Sequence, residues 1–413
     1  MIAEKNAQKI DKLDSLLSVS ADPMMPAIGL EAEFTLYLND KATTPEKVFG
    51  DPTKLLEHLA MHRVGSSYHI PTGGAVYFDS GAIEVVTPII EIEKGCAVKA
   101  GRSLWESIGF LRKELDHWEM KTGNKARLEG FSTHYNISFE RPEDLNGQTR
   151  SVEKLALLLS YILPIPVMLL GANRKSTGIG VRPRGNRIEI TADFTPSPAL
   201  MIATMSLINS IVRKVMTWPS YELDMLDKKK IPYIPNFKPI KHTSRQGWLA
   251  KNSCFKVNPF ECDINEKLWE VTQFDHKVSL RDIALAIKEK FYVAIARLAD
   301  PFTFRLMLSV FRGDSPSMLD LDERPEAYED VGKLCTWKNI FKGSEVAKSK
   351  YERVLINAIL KRKLTIDGNE YLPIGMKGWT EVILERKNSH LRKVLSMDAL
   401  IPLLDKWEEA AIK

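Results

Sequence analysis

Ile28-Gly29-Leu30-Glu31-Ala32-Glu33-Phe34-Thr35-Leu36 alternates without a break, with apolar side chains at the even positions and Glu31 and Glu33 between them. Residues i and i+2 of a strand point to the same side, so this is a half-buried strand carrying both carboxylates on its polar face. Two carboxylates about 7 Å apart along a strand repel each other unless a cation lies near them. Three further stretches follow the same rule. Ser80-Gly81-Ala82-Ile83-Glu84-Val85-Val86-Thr87-Pro88 has Glu84 as its lone charge. Phe131-Ser132-Thr133-His134-Tyr135-Asn136-Ile137-Ser138 puts His134, Asn136 and Ser138 on one face. Asn186-Arg187-Ile188-Glu189-Ile190-Thr191 puts Arg187, Glu189 and Thr191 opposite the apolar Ile188 and Ile190.

Taken singly, each strand reads equally as the wet side of an antiparallel sheet, with Glu84 a rim carboxylate and His134 a histidine bonded to backbone. The conjunction points elsewhere. A solvated face mixes Lys, Ser and Gln with its acids, whereas these strands offer Glu, Glu, Glu, His and Glu. Carboxylates with one imidazole suit the hard divalent cations Mg²⁺ or Mn²⁺; catalytic zinc sites more often use two or three histidines. The segment Asn173-Arg174-Lys175-Ser176-Thr177-Gly178-Ile179-Gly180-Val181-Arg182 reads as a turn entering a glycine-containing strand. Arg174 and Arg182 offer guanidinium forks for phosphate oxygens, and Gly178 and Gly180 leave room for backbone to approach a ligand.

With these residues assembled, the chain resembles the carboxylate–amine ligases of the glutamine synthetase-like superfamily, closest in type to the smaller glutamate–cysteine ligase-like enzymes. The likeness rests on Glu31-Ala32-Glu33, on Ala82-Ile83-Glu84-Val85, on the run around His134, on Asn173-Arg174 with Arg182, and on Arg187-Ile188-Glu189. These occur in the family's order over residues 28–210. The resemblance implies an α+β fold: a curved, mostly antiparallel sheet with helices on one face, followed by a helical C-terminal part. It implies metal ligation by Glu33 and Glu84 on the amino-acid side, and by Glu31, His134 and Glu189 nearer the nucleotide phosphates. Arg174, Arg182 and Arg187 would contact the nucleotide, the first two also stabilising phosphoryl charge. The implied cofactors are ATP with two or three Mg²⁺ (or Mn²⁺) ions. The implied reaction is amide formation through an acyl phosphate, on glutamate or another amino acid.

Two departures from glutamine synthetase itself stand out: Val76 where a further Glu is expected, and Thr191 where an arginine is expected. They motivate an alternative, a catalytically idle binding or regulatory protein on the same fold; a phosphotransferase of that fold is another. His69, His242, Arg245, Trp248 and Asn252 are further candidates for substrate or adenine contacts, although for each a structural role is the more ordinary reading.

The composition fits this frame. Across 413 residues, 44% hydrophobic and 27% charged, Lys+Arg 58 against Asp+Glu 53 leaves a charge of only +5, not the footprint of a dedicated nucleic-acid binder. Runs such as Lys228-Lys229-Lys230 and Lys361-Arg362-Lys363 are short and read as solvated surface. Cys96, Cys254, Cys262 and Cys335 are widely spaced and form no CxxC, as expected of reduced thiols in a cytoplasmic protein. The polar N-terminus lacks a signal-peptide core, and the apolar stretch Leu155–Leu170 is interrupted by Pro164 and Pro166. The expected partners are therefore small-molecule carboxylate and amine substrates, without nucleic acid or membrane, in a monomer or small homo-oligomer.

The expected organisation is a helix within residues 1–25, a catalytic core over 26–300 and a mainly helical region over 301–413. Helices are expected at Thr53–His62, Cys96–Thr122, Ser151–Leu163, Pro196–Tyr221, Ser279–Ala299, Pro301–Phe311, Ser344–Leu364 and Ala399–Ile412. A short strand is expected at Glu370–Leu372, and an exposed linker or ordered loop at Lys228–Pro239.

Overall fold

The alternating stretch lies at the centre of the molecule as β1 (Ala27–Leu38), in a computed structural model that describes residues 25–56, 61, 68–140, 149–242, 246–321 and 346–412. The helix expected at the N-terminus falls outside the described residues. On one side β1 pairs with β5 (Ala82–Val86), which continues to β4 (Ala75–Asp79) and the two-residue β3 (Tyr68–His69). On the other side come β7 (Ala126–Ser138), β9 (Arg187–Asp193), β8 (Ile179–Pro183), and the short β11 (Trp248–Ala250) and β10 (Ile240–Lys241). With β2 (Lys41–Thr43) and β6 (Ile90–Glu91) on β1, the described residues form an eleven-stranded sheet in which every pairing is antiparallel.

The even positions of β1 from Ile28 to Leu36 are sealed from solvent together with Ile83, Val85, Tyr135, Ile137, Ile188 and Ile190. This face packs on helices α1 (Cys96–Thr122), α2 (Val152–Ile162), α3 (Pro164–Gly171), α4 (Pro198–Met216) and α5 (Leu280–Leu298), and on α6 (Pro301–Arg312) beyond them. Local chemistry sets their ends. Ser151, Ser197 and Ser279 each cap a following helix, Ser279 in a reciprocal capping box with Asp282, and Pro198 occupies the first turn of α4. The stretch containing Pro164 does not simply end there: it turns by 66° at Leu163 and resumes as α3. Among the described helices α4 is long and apolar enough to cross a membrane; 83% of its apolar window is buried inside the protein.

One register detail decides which residues reach the polar face. Between Glu33 and Phe34 of β1 the partner on β7 jumps from Ser132 to Gly130, leaving Phe131 as the extra residue of a bulge. Even-numbered residues before the bulge (Leu128, Gly130) follow the apolar face; those after it (Ser132, His134, Asn136) follow the polar face.

The C-terminal part corrects the helical expectation. After α7 (Lys350–Ile359) the chain forms a four-stranded antiparallel meander: β12 (Leu364–Ile366), β13 (Asn369–Lys377), β14 (Glu381–Arg386) and β15 (Arg392–Ser396). A closing helix, α8 (Leu404–Ile412), packs on it. The strand expected at Glu370–Leu372 runs on through Pro373, which a register shift between Pro373 and Gly375 absorbs. This module has its own apolar cluster, including Tyr351, Leu355, Met376, Leu384 and Trp407.

Candidate active site

The antiparallel registers bring the four acidic strands into rows. Glu33 stands opposite Glu84 across β1 and β5, and Glu31 opposite His134 across β1 and β7. One strand further, Glu189 stands opposite both Asn136 and Arg182. All five sequence-selected ligands therefore occupy one face of four adjacent strands. His134 bridges two of them, with Nδ1 3.0 Å from Glu31 Oε2 and Nε2 3.5 Å from Glu33 Oε1. Among the described residues, Glu31, His134 and Glu189 each offer a ligand atom within 4.8 Å of the others, close enough to share one ion.

The electrostatics describe a cluster short of positive charge. Burial pushes the Glu84 carboxyl up to about 8, with Glu33 and Glu31 adding to the shift and a hydrogen bond from the Tyr77 hydroxyl opposing it. Burial, then the charges of Glu31 and Glu84, also drive the Tyr77 hydroxyl upward. Burial works against charge on His134 too, but its bond to Glu31 and the charges of Glu33 and Glu189 override it and raise its pKa. Glu189 goes the other way: burial is outweighed by His134, Arg182 and Arg184, which hold it below the ordinary carboxylate range. The arginines thus gather on Glu189, and beside Glu31 and Glu33 stands the imidazole of His134. The donor set fits one or more hard divalent ions.

Beside the cluster opens a cavity of about 390 Å³, lined by Glu33, His134, Lys175, Arg182, Asp193 and His242 among others. The expected arginines divide here. Arg182 lines the cavity and ion-pairs with Glu189, both side chains buried. Arg187 bonds Asn136 through Nε at 2.8 Å and comes within 4.0 Å of Glu189. Arg174 points away: Nη1 donates to the carbonyls of Phe260 (3.1 Å) and Cys262 (2.7 Å), and Nη2 lies 3.9 Å from Asp320. The next residue, Lys175, faces the cavity instead.

Both glycines of the turn stand in close packing. A side chain at residue 180 would run into Thr191, and one at residue 178, where φ is +138°, would lie 2.7 Å from the Ala250 carbonyl. These glycines let β8 pack between β9 and β11, and Gly178 also lines the cavity. Thr191 fills the notch opposite Gly180 and lines the cavity. Val76 faces the core opposite Val85, and its neighbour Tyr77 is what stands opposite Glu84.

Sequence reasoning missed Tyr77, Arg184, Lys175 and Asp193. Arg184 Nε lies 3.0 Å from Glu189 Oε2, and Asp193 continues the alternation Arg187, Glu189, Thr191. Both were readable by extending a strand pattern by one step. Of the further candidates, His242 lines the cavity and His69 lies buried against Trp379. Trp248 sits under Lys241, and Asn252 opens a short 3-10 turn; Arg245 is outside the described residues.

No family model matches the sequence, and no curated protein matches it. A solved structure titled "Crystal structure of the complex between Prokaryotic Ubiquitin-like Protein Pup and its Ligase PafA" is similar at a TM-score of 0.49 and 10% identity, covering 94% of this chain and 93% of that chain.

Proposed function

We propose that this chain is an ATP-dependent carboxylate–amine ligase working through an acyl phosphate on small-molecule acid and amine substrates. The observation that carries the reading is the cross-strand pair Glu33–Glu84 beside the triad Glu31, His134 and Glu189, with Arg182 at the edge of the cavity. In this reading Glu33 and Glu84 hold one divalent ion and Glu31, His134 and Glu189 another. Bound ions would neutralise the phosphate oxygens of ATP and polarise the transferring group.

The remaining roles follow from position. Arg182 and Lys175 converge on the cavity and stabilise charge that grows on the phosphoryl group. An oxygen of the acid attacks the γ-phosphorus, the bond to the β-phosphate oxygen breaks, and ADP leaves. The amine nitrogen then attacks the acyl carbon and phosphate departs. That nitrogen must lose a proton, and Asp193 and Asp79 are carboxylates on this face outside the ligand set. Asp193 is buried and accepts the Asn173 N–H at 2.8 Å, whereas Asp79 is half-buried at the end of β4, on the same face as Tyr77. Asp79 is the better placed to exchange a proton with solvent.

The test is ADP release across panels of acids and amines, with hydroxylamine substituted for the amine. A ligase requires both substrates and yields the hydroxamate of its acid. ADP release that is indifferent to acid and amine, or absent with every pair, would remove the proposal. Asp79→Asn should lower turnover while leaving Mg·ADP binding intact; unchanged turnover excludes it as the base.

A further inference from the structure

The short β3–β4 hairpin delivers Tyr77 to Glu84, yet its outer strand has only two residues and pairs with β4 alone among the described strands. What encloses its turn comes from far away in sequence. Gly73 sits at φ +95°, and a Cβ there would lie 3.1 Å from Ile356 Cγ1 of α7. On the other side the Thr72 hydroxyl meets that of Ser107 on α1 at 2.9 Å. At the base of the hairpin the His69 ring meets the edge or face of Trp379, in the β13–β14 turn, at 4.8 Å and 82°.

The module that supplies Ile356 and Trp379 is itself fastened to the central sheet. The Glu91 carboxylate, on β6, accepts the first backbone N–H groups of α7, from Lys350 at 2.7 Å and Tyr351 at 3.2 Å. Arg102 of α1 forms a buried ion pair with Glu352 of α7. Helix α7 is therefore held against β6 and α1, and the hairpin turn is caught between α1 and the C-terminal module.

We propose that the C-terminal module is a positioning element for the site, with Trp379 and Ile356 fixing the β3–β4 hairpin so that Tyr77 meets Glu84. Its functional consequence rests on the cation-binding reading of Glu84 given above. An edge strand with so short a ladder has little to fix its position, and small displacements of a supporting group are costly to a preorganised site. Neither residue need touch a substrate; both act through β4.

The experiment uses the full chain with Trp379→Ala, Trp379→Phe, Ile356→Ala and, as a control, Leu404→Ala. Leu404 belongs to the module's own core and is buried there. Two quantities are read: hydrogen exchange at the amides of residues 75–79 in the metal-free protein, and Mn²⁺ affinity by calorimetry. Trp379→Ala and Ile356→Ala should each speed exchange in β4 about tenfold and weaken Mn²⁺ about tenfold, an equilibrium change near 1.4 kcal/mol. Trp379→Phe should restore both. Leu404→Ala should lower the melting temperature without moving either. The proposal is overturned if Trp379→Ala leaves β4 exchange unchanged, or if Leu404→Ala, still folded, reproduces the effect. It is also overturned if Trp379→Ala raises only the KM for ATP, which would make Trp379 a nucleotide contact. A wild-type chain that binds no Mn²⁺ would remove the cation site instead, and exchange alone would then decide the positioning role.

Discussion

The two sheets of this molecule handle charge in opposite ways. In the strands of the C-terminal meander each acid has its own base: Glu370 with Lys387 at 2.6 Å across the ladder's edge, Glu385 with Arg392 at 3.1 Å, Glu381 with Lys377 at 3.3 Å. On the polar face of the central sheet, Glu31, Glu33 and Glu84 crowd around a single imidazole, and the nearest arginines are spent on Glu189. One sheet is a solvated face whose charges cancel pair by pair. The other is unbalanced by construction, and its imbalance is of the sign and hardness that a divalent cation corrects. Matching, rather than the number of charges, separates a wet face from a site.

The largest effect should come from the cation that serves the central sheet most directly. Arg182→Ala is expected to lower turnover by about 10²–10³, near 3 kcal/mol, while Mg·ATP still binds, because in the proposed reading it stabilises charge that appears mainly in the transition state. Steady-state kinetics alongside a nucleotide-binding titration check this; full activity would reduce the central sheet to a structural ion-pair network. Where the two sheets meet, burial holds His69 at about 4 against its usual 6.5, although a hydrogen bond with the Gly74 backbone opposes the shift. The unfolded chain therefore takes up a proton below pH 6.5 that the folded chain refuses. Stability from this residue is unaffected above about pH 7 and falls by about 3 kcal/mol as pH drops from 6.5 to 4. Urea unfolding at pH 7 and pH 4.5 should show the loss in wild type and a smaller loss in His69→Leu.

A third expectation is that Glu31→Gln weakens Mg·ADP by at least about tenfold in calorimetric titration, since it removes a shared ligand. Equal binding would dissolve the triad. The smallest effect belongs to the matched sheet: Glu385→Gln should change unfolding free energy by less than about 0.5 kcal/mol and leave nucleotide binding untouched. A large effect there would erase the contrast on which the site assignment depends.

The strands of the site were legible because one-sided burial locks parity to register: a slip of β1 by one residue would have turned Glu31 and Glu33 together into the apolar core. Helix ends marked by Ser197, Ser279 and Pro301 were legible for local reasons. What escaped the sequence depends on partners distant along the chain. The Phe131 bulge shows only against β1, and the glycine notches only against Thr191 and Ala250. The direction of Arg174 is set by carbonyls almost ninety residues further on, at Phe260 and Cys262. In the C-terminal meander β13 runs on through Pro373, a residue that ordinarily ends a strand and here is accommodated by a bulge.

Because every proposed ligand stands within a paired strand and none on a loop, the frame of the site is set by ladder hydrogen bonds at about 4.8 Å spacing. Such a frame cannot readily widen to suit its guest. Mg²⁺ asks for oxygen at about 2.0–2.1 Å in a strict octahedron, while Ca²⁺ takes more ligands at about 2.3–2.6 Å and tolerates irregular cages. Two ions of equal charge would then be told apart by size, through the stiffness of a sheet.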